Sequence, residues 1–313
     1  MFNQTHFFGK TWTEKRWGVK YNPEFPPVTL MDKIIVGPYL FWQRFSHTPL
    51  EFIPRFLYAL EVLPKNIPVL TTRKNFPGQF MKYLIDIGYL DEKRIVEYED
   101  VGTIFANEAY FSSEWPTCQN YCQRQYGIEY FGRMKRIMVP KDLPVEERDL
   151  IIWVQRTPGH SRYLSWEKID QLKTMLNKYG KVVTFIGSEY KNMSSVIDLF
   201  KKAKVIISTH GAGLANLLFS AECTTVIELM FDDKFLQTPT AFYSASIARK
   251  LDYWMLHAKG GVMGPNVPNI DEIEDIMKQV MKEKEILKKS SKLHCWDLGN
   301  RNRQYIWDKR LWK

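Results

Sequence analysis

A glycine-rich turn lies between an apolar strand and a helix in residues 205–229, VIISTHGAGLANLLFSAECTTVIEL, and consists of His210, Gly211, Ala212 and Gly213. Glycines allow a ligand to approach the backbone, and the free amides and dipole of a helix N-terminus favour an anionic phosphate. We therefore interpret the turn as a candidate diphosphate site. The alternative is a tight turn with no ligand, because glycines commonly connect a strand to a helix.

The turn does not match the dinucleotide fingerprint G-x-G-x-x-G of NAD enzymes, since Asn216 stands where the third glycine belongs. No acidic residue is placed after a first strand to hold a ribose. The pattern therefore disfavours an NAD-dependent enzyme.

Two arginines, Arg156 and Arg162, follow another apolar strand in the segment VQRTPGHSRYLS. Their guanidinium groups can clamp the charged oxygens of a leaving diphosphate. Taken singly, each arginine is more often a surface residue. We expect both at the same edge of a sheet as His210, with Glu189 on the intervening loop, and together they favour a site for an anionic substrate.

Strands and helices alternate through the second half of the chain, which predicts βαβ units and a parallel sheet. The predicted strands are residues 150–154, 181–186, 205–208 and 225–229. The predicted helices are one capped by Ser165 and those near residues 194–203, 213–219 and 241–251. Ligands of such sheets lie beyond the carboxyl ends of the strands, so residues 155–165, 187–193 and 209–213 should share one rim.

The first half is less regular, and a second α/β lobe is its natural interpretation. Strands are predicted near residues 33–36, 68–72 and 94–97, and helices near residues 50–63 and 79–88. Two prolines and mixed charges in residues 139–148 predict a domain boundary. We therefore divide the chain into a first lobe (residues 1–142), a nucleotide-binding lobe (residues 143–265) and a C-terminal segment (residues 266–313).

The C-terminal segment contains an amphipathic helix predicted over residues 271–289, with apolar residues on one face and many lysines on the other. This pattern favours a helix docked on the body of the protein. Weak contact with a membrane surface is the alternative, because the outer face is cationic.

The composition predicts a packed protein with an anionic partner. The 313 residues are 45% hydrophobic and 14% aromatic, enough for one large or two ordinary domains. A formal charge of +9 does not separate nucleic acid, membrane surface and phosphorylated substrate as partners. The chain as written has neither a signal peptide nor a membrane-spanning segment. We expect a cytoplasmic protein, or one of the ER or Golgi lumen if an anchor is missing.

The four cysteines, Cys118, Cys122, Cys223 and Cys295, do not form a zinc signature. Cys118 and Cys122 are either a disulfide or two free thiols, so the redox compartment stays open.

Two distant motifs resemble glycosyltransferase family 61. THGAGLANLLF followed by TVIEL closely resembles the most characteristic block of this family, and Arg156 and Arg162 fall at its arginine-rich segment. In the first half, HTPLEFIPR contains His47 and Glu51 and is similar to the family's H-x-x-x-E-x-x-P-R helix start. GYLDEKRIV and TPTAFYSASIARKLDYW are also similar, so the resemblance covers most of residues 40–257.

The resemblance implies an α/β fold of the GT-B type, with two Rossmann-like lobes and a cleft between them. It also implies inverting transfer of a hexose or pentose from a nucleotide-diphosphate sugar, often a uridine diphosphate sugar, to a glycan or glycoprotein hydroxyl. No metal or other cofactor is expected, since the sequence has no Asp-x-Asp triplet and amides and cations can stabilise a leaving diphosphate. Val196 stands where many members carry a glutamine, which weakens any inference about recognition of the base.

The expected donor-site residues are Arg156, Arg162, Glu189, His210, Gly211, Ala212, Gly213, Asn216 and Glu228. His210 and the turn amides would hold the diphosphate or ribose, with Glu228 behind them at a strand end. His47 or Glu51 is the expected base, because an inverting transfer must remove the acceptor proton. Alternatively, His47 caps the following helix and Glu51 interacts with its N-terminal dipole.

Two other functions remain as alternatives. A degenerate transferase lobe could bind a glycan or nucleotide without catalysis. Residues 301–313, RNRQYIWDKRLWK, interleave aromatic and cationic side chains, as nucleic-acid-binding grooves do. A packed terminal segment explains them more simply, so no nucleic-acid partner is expected.

Overall fold

The computed structural model describes residues 28–37, 45–97, 103–111, 124–156, 161–190, 192–231, 241–260, 265–289 and 295. These residues form two sheets joined and flanked by helices, with almost all strands parallel, which confirms the predicted α/β class. The Cys118–Cys122 pair and the basic residues 301–313 lie outside the described residues.

The first sheet has four parallel strands in the order β3-β2-β1-β4. Their bounds are β1, Val28–Val36; β2, Val69–Thr71; β3, Ile95–Glu97; and β4, Thr103–Tyr110. The sequence pattern predicts the first three. It misses β4, because TIFANEAY is neither a continuous apolar run nor a regular alternation.

The described residues of the first half form three α-helices. A π-helical turn, Thr48–Phe52, leads directly into α1, Ile53–Val62, followed by α2, Asn75–Asp86, and α3, Arg124–Met138. Pro49 stands in the first turn of the π-helical segment, where a missing N–H costs little. Helices are predicted at α1 and α2 but not at α3, whose two glycines lower its helix propensity.

The second sheet contains six strands in the order β10-β9-β8-β7-β5-β6. Their bounds are β5, Leu150–Val154; β6, Lys181–Phe185; β7, Ala203–Thr209; β8, Thr225–Phe231; β9, Asp252–Lys259; and β10, Val267–Pro268. Only β10 is antiparallel to its neighbour. β5 and β8 are buried along their whole length, as expected of parallel strands covered on both faces.

The helices of the second half are α4, Trp166–Leu176; α5, Met193–Lys201; a 3-10 helix, Ala212–Phe219; α6, Ala241–Ala248; and α7, Ile270–Lys289. Ser165 caps α4, since its hydroxyl accepts the backbone N–H of Lys168 at 3.3 Å. The predicted cap is therefore present.

Apolar side chains form one cluster on each face of the second sheet. One contains Trp153, Ile227 and the apolar residues of α4 and α7, so α7 is docked through its apolar face. The other extends from Val154 into the first half, where the rings of Phe80 and Phe219 lie 6.1 Å apart. Helix α2 of the first half therefore packs near the 3-10 helix that follows the glycine turn.

A disulfide joins Cys223, in the turn before β8, to Cys295, beyond α7. The two Cα atoms are 5.5 Å apart, and the cysteines are separated by 72 positions in sequence. Lys284 of α7 donates its ammonium to the Cys223 carbonyl at 2.9 Å. The bond holds the end of the C-terminal helix against the amino edge of the second sheet, a pairing that spacing alone does not predict.

Within the described ranges, no helix combines the length and the apolarity needed to cross a bilayer.

Candidate functional site

The candidate site lies where the strand order of the second sheet reverses. From β5 the chain passes to β6 on one side, and β7 then pairs with β5 on the other side, with Val154 beside Ser208. Parallel sheets bind ligands in the crevice beyond such a switch point. The two segments that leave these strands carry Arg156 and His210, so topology alone brings the two predicted residues to one crevice.

Two glycines permit the close approach of the turn to β5. A Cβ at Gly211 would lie 1.9 Å from Nη1 of Arg156, and one at Gly213 would lie 2.6 Å from Cγ1 of Val154. Any larger residue at position 211 would displace the guanidinium group. The glycines therefore serve to place Arg156 directly against the turn backbone.

Asn216 stabilises the turn through a hydrogen bond to its backbone. Its side-chain amide donates to the Gly213 carbonyl at 3.0 Å, and only 1% of the residue is exposed. We infer that Asn216 stabilises the conformation of the turn formed by the preceding residues.

Arg156 is a half-buried cation beside a second cation. Burial lowers its pKa most, and the positive charge of Arg162 lowers it further. Arg156 also makes a long contact of 3.5 Å to the Ser161 hydroxyl. Two neighbouring guanidinium groups in a crevice repel each other, and a bound anion would relieve that repulsion.

Arg162 is held in an unusual backbone conformation, with φ of 62°. Such a conformation is uncommon for residues other than glycine, asparagine and aspartate. Its guanidinium carbon lies 5.8 Å from the ring centre of Phe231 at the end of β8. The loop thus directs Arg162 across the carboxyl edge of the sheet.

His210 belongs to a buried polar triad. Its Nδ1 lies 2.5 Å from Oε1 of Glu228, and Tyr253 donates its hydroxyl to the other glutamate oxygen. Glu228 is fully buried, whereas 11% of the His210 side chain is exposed. The ring centres of Phe242 and Phe231 lie 5.4 and 6.1 Å from the imidazole. Glu228 thus contacts the inner side of the imidazole from the middle of β8 rather than from a strand end.

Glu189 lies farther from this group. It ends the 3-10 turn Gly187–Glu189 beyond the edge strand β6, and its side chain is exposed. β5 separates β6 from β7, so Glu189 is two strands away from the His210 turn.

His47 and Glu51 form a second histidine–glutamate pair. Their Nδ1 and Oε1 atoms lie 3.0 Å apart, with 25% of the histidine side chain and 3% of the glutamate side chain exposed. His47 makes no side-chain capping bond, so the alternative role as a helix cap is wrong. The π-helical turn that carries Glu51 lies against the 3-10 helix of the second half.

Three residues of the site are absent from the expected set: Gln155, Thr209 and Tyr253. Gln155 and Thr209 directly precede Arg156 and His210, and both are more than 90% buried. Their side-chain oxygens have no hydrogen-bond partner among the described residues, although buried polar atoms normally have one. Position next to a predicted ligand residue is the signal that could have found them. No comparable signal marks Tyr253.

The fold and site place the protein in the class of parallel α/β proteins with a cationic crevice at the switch point. The glycosyltransferase 61 family model matches residues 45–227, more than half of the chain. The chain therefore belongs to glycosyltransferase family 61. The matched range includes both His47 and His210 and ends one residue before Glu228. No curated protein matches the chain.

Proposed function

We propose that this glycosyltransferase transfers a sugar from a nucleotide-diphosphate sugar, preferably a uridine diphosphate sugar, to a hydroxyl group of a glycan or protein, with inversion. The two sheets would belong to the two lobes of a GT-B arrangement. The observation that carries the proposal is the contact of Arg156 with Gly211, beside Arg162, at the switch point of the second sheet.

The donor diphosphate would bind at this contact. Arg156 and Arg162 would neutralise the charge that develops on the leaving diphosphate, which is the task that metal ions perform in other transferases. His210 would add a hydrogen bond from its outer nitrogen, Nε2. Gln155 and Thr209 carry buried oxygens at the same strand ends and are suited to the neutral groups of the nucleoside.

The acceptor would be activated by the pair in the first half. His47 takes the proton of the acceptor hydroxyl, and Glu51 stabilises the resulting imidazolium. The acceptor oxygen then forms a bond to the anomeric carbon while the bond from that carbon to the diphosphate oxygen breaks. A single displacement of this kind inverts the configuration, and the nucleoside diphosphate leaves with the bonding electron pair.

The test is Arg156→Ala, compared with the wild-type protein in a thermal-shift titration against nucleoside diphosphates and their sugars. A ligand at a hundredfold excess over its Kd adds about 2.7 kcal/mol to the stability of the folded state. Wild-type protein should gain this stabilisation from the donor nucleotide, and Arg156→Ala should lose it together with sugar transfer. Without ligand, the variant should unfold no earlier, since it removes a half-buried cation that the neighbouring charge of Arg162 repels.

Lys278→Ala is the matched control, because it removes an exposed cation of α7 that pairs with Asp275. This variant should bind and transfer as the wild type does. If Arg156→Ala keeps both donor binding and the wild-type rate, the donor site lies elsewhere. Binding without transfer or hydrolysis of any nucleotide sugar would instead support the non-catalytic alternative.

A further inference from the structure

Tyr253 is connected to His210 of the proposed donor site through Glu228. It lies on β9, which pairs in parallel with β8, and its register partner is Val226. Glu228 is two residues farther along β8 on the same face, and the tyrosine hydroxyl reaches one of its oxygens. The other oxygen lies 2.5 Å from Nδ1 of His210. A tyrosine of β9, a glutamate of β8 and the histidine that directly follows β7 therefore form one connected chain.

Glu228 depends on both neighbours. Its side chain has no exposed surface, and a buried carboxylate is costly unless its oxygens receive hydrogen bonds. Burial raises the pKa of Tyr253 well above its usual value, and the neighbouring charge of Glu228 raises it further. The hydroxyl therefore keeps its proton at neutral pH and donates a hydrogen bond to Glu228.

The arrangement fixes the proton of His210. An ionised carboxylate only accepts hydrogen bonds, so the imidazole must carry a proton on Nδ1 to bind Glu228. The hydrogen bond at one ring nitrogen determines which nitrogen is protonated and how the ring is oriented. With its second oxygen engaged by Tyr253, Glu228 cannot rotate away from Nδ1. His210 is thus left with Nε2 as the only ring nitrogen available to a ligand.

We propose that Tyr253 is a positioning residue of the donor site, which acts through Glu228 to keep His210 protonated on Nδ1 and oriented toward the donor. The part of this proposal that concerns the donor rests on the proposed function. The part that concerns the proton of His210 stands on the hydrogen bonds alone. Tyr253 lies outside residues 45–227, the range matched by the family model.

The variant Tyr253→Phe removes only the hydroxyl. The ring of Tyr253 lies 5.5 Å from that of Tyr243 in an edge-on contact, and phenylalanine keeps this packing. Tyr179→Phe is the matched control, since it removes a tyrosine hydroxyl that donates to Glu274 at 3.1 Å on the outer surface. Both variants lose one tyrosine–glutamate hydrogen bond, but only Tyr253→Phe loses the one behind His210.

The protonation state of His210 is read by nitrogen-15 NMR of protein labelled on histidine, with the His210 signals identified by their loss in His210→Asn. Wild-type protein and Tyr179→Phe should show His210 with a proton on Nδ1. Tyr253→Phe should show a mixture of tautomers or a changed ring orientation. Its Kd for uridine diphosphate should rise by about tenfold, the effect of one lost hydrogen bond to a charged group.

Two results would overturn the proposal. One is a wild-type His210 with its proton on Nε2 alone, a result that does not depend on Tyr253→Phe and so remains decisive even if that variant does not fold. The other is a folded Tyr253→Phe with the His210 spectrum of the wild type. If the spectrum changes as expected while wild-type protein binds no nucleoside diphosphate, the positioning role holds and the proposed donor is wrong.

Discussion

The two histidine–glutamate pairs of this protein are built differently. His47 and Glu51 are four residues apart in one helical segment, and a quarter of the histidine side chain is exposed. His210 directly follows β7 and Glu228 lies on the neighbouring strand β8, and this histidine is more deeply buried. Glu228 is also held by Tyr253. The first pair is local and accessible, whereas the second is long-range and enclosed.

This difference suits the two pairs to different work. A general base must exchange its proton with substrate and then with solvent, which favours an accessible histidine. A group that binds a leaving diphosphate must stay in one orientation, and such preorganised groups avoid reorganisation during the reaction. We therefore expect His47 to act on the rate of the chemical step and His210 on the binding of the donor.

The largest expected effect belongs to His47→Ala. Loss of a general base lowers kcat by about 10²- to 10⁴-fold. The Kd for uridine diphosphate should stay at the wild-type value, because the donor contacts that we propose lie in the second sheet. Single-turnover transfer and isothermal titration of the nucleotide separate these two quantities. A loss of nucleotide affinity equal to the loss of rate would assign His47 a structural role and remove the distinction between the pairs.

The regular half of the fold can be predicted from sequence for a physical reason. Strands β5, β7 and β8 are short, mostly apolar and almost completely buried, and a polar residue follows each of them. The same alternation of strands and helices predicts that Arg156 and His210 lie at one rim of the sheet. In the first half, β4 is largely exposed and carries no such pattern, so sequence reasoning misses it.

The long-range partners of the site could not be predicted. Tyr253 reaches Glu228 because β9 lies beside β8, and that neighbourhood is a property of the folded sheet. Cys223 and Cys295 likewise meet only when α7 folds back on the sheet. The pair His47–Glu51 differs, since its i, i+4 spacing on a helix makes the contact predictable once the helix is recognised.

An intermediate effect is expected for His210→Asn. Asparagine keeps an N–H near the position of Nδ1, which can still donate to Glu228, but it has no counterpart of Nε2. The Kd for uridine diphosphate should rise by about 10- to 100-fold, the effect of one hydrogen bond to a charged group. Thermal unfolding should change little, since the buried glutamate keeps its partner. Titration calorimetry checks the affinity, and unchanged affinity in a folded variant would show that Nε2 does not contact the donor.

The smallest expected effect concerns the N-terminal caps of two helical segments, α4 after Arg162 and the π-helical turn after His47. Ser165 ends the loop that carries Arg162 and caps α4 with its hydroxyl, whereas the segment after His47 begins without a side-chain cap. Ser165→Ala should lower the free energy of unfolding by about 1 kcal/mol, measured by urea denaturation. Ser195→Ala is the control: this exposed serine of α5 is not a cap, and its loss should change stability by less than about 0.5 kcal/mol. Equal stability of the two variants would mean that α4, and with it the Arg162 loop, is held by packing alone.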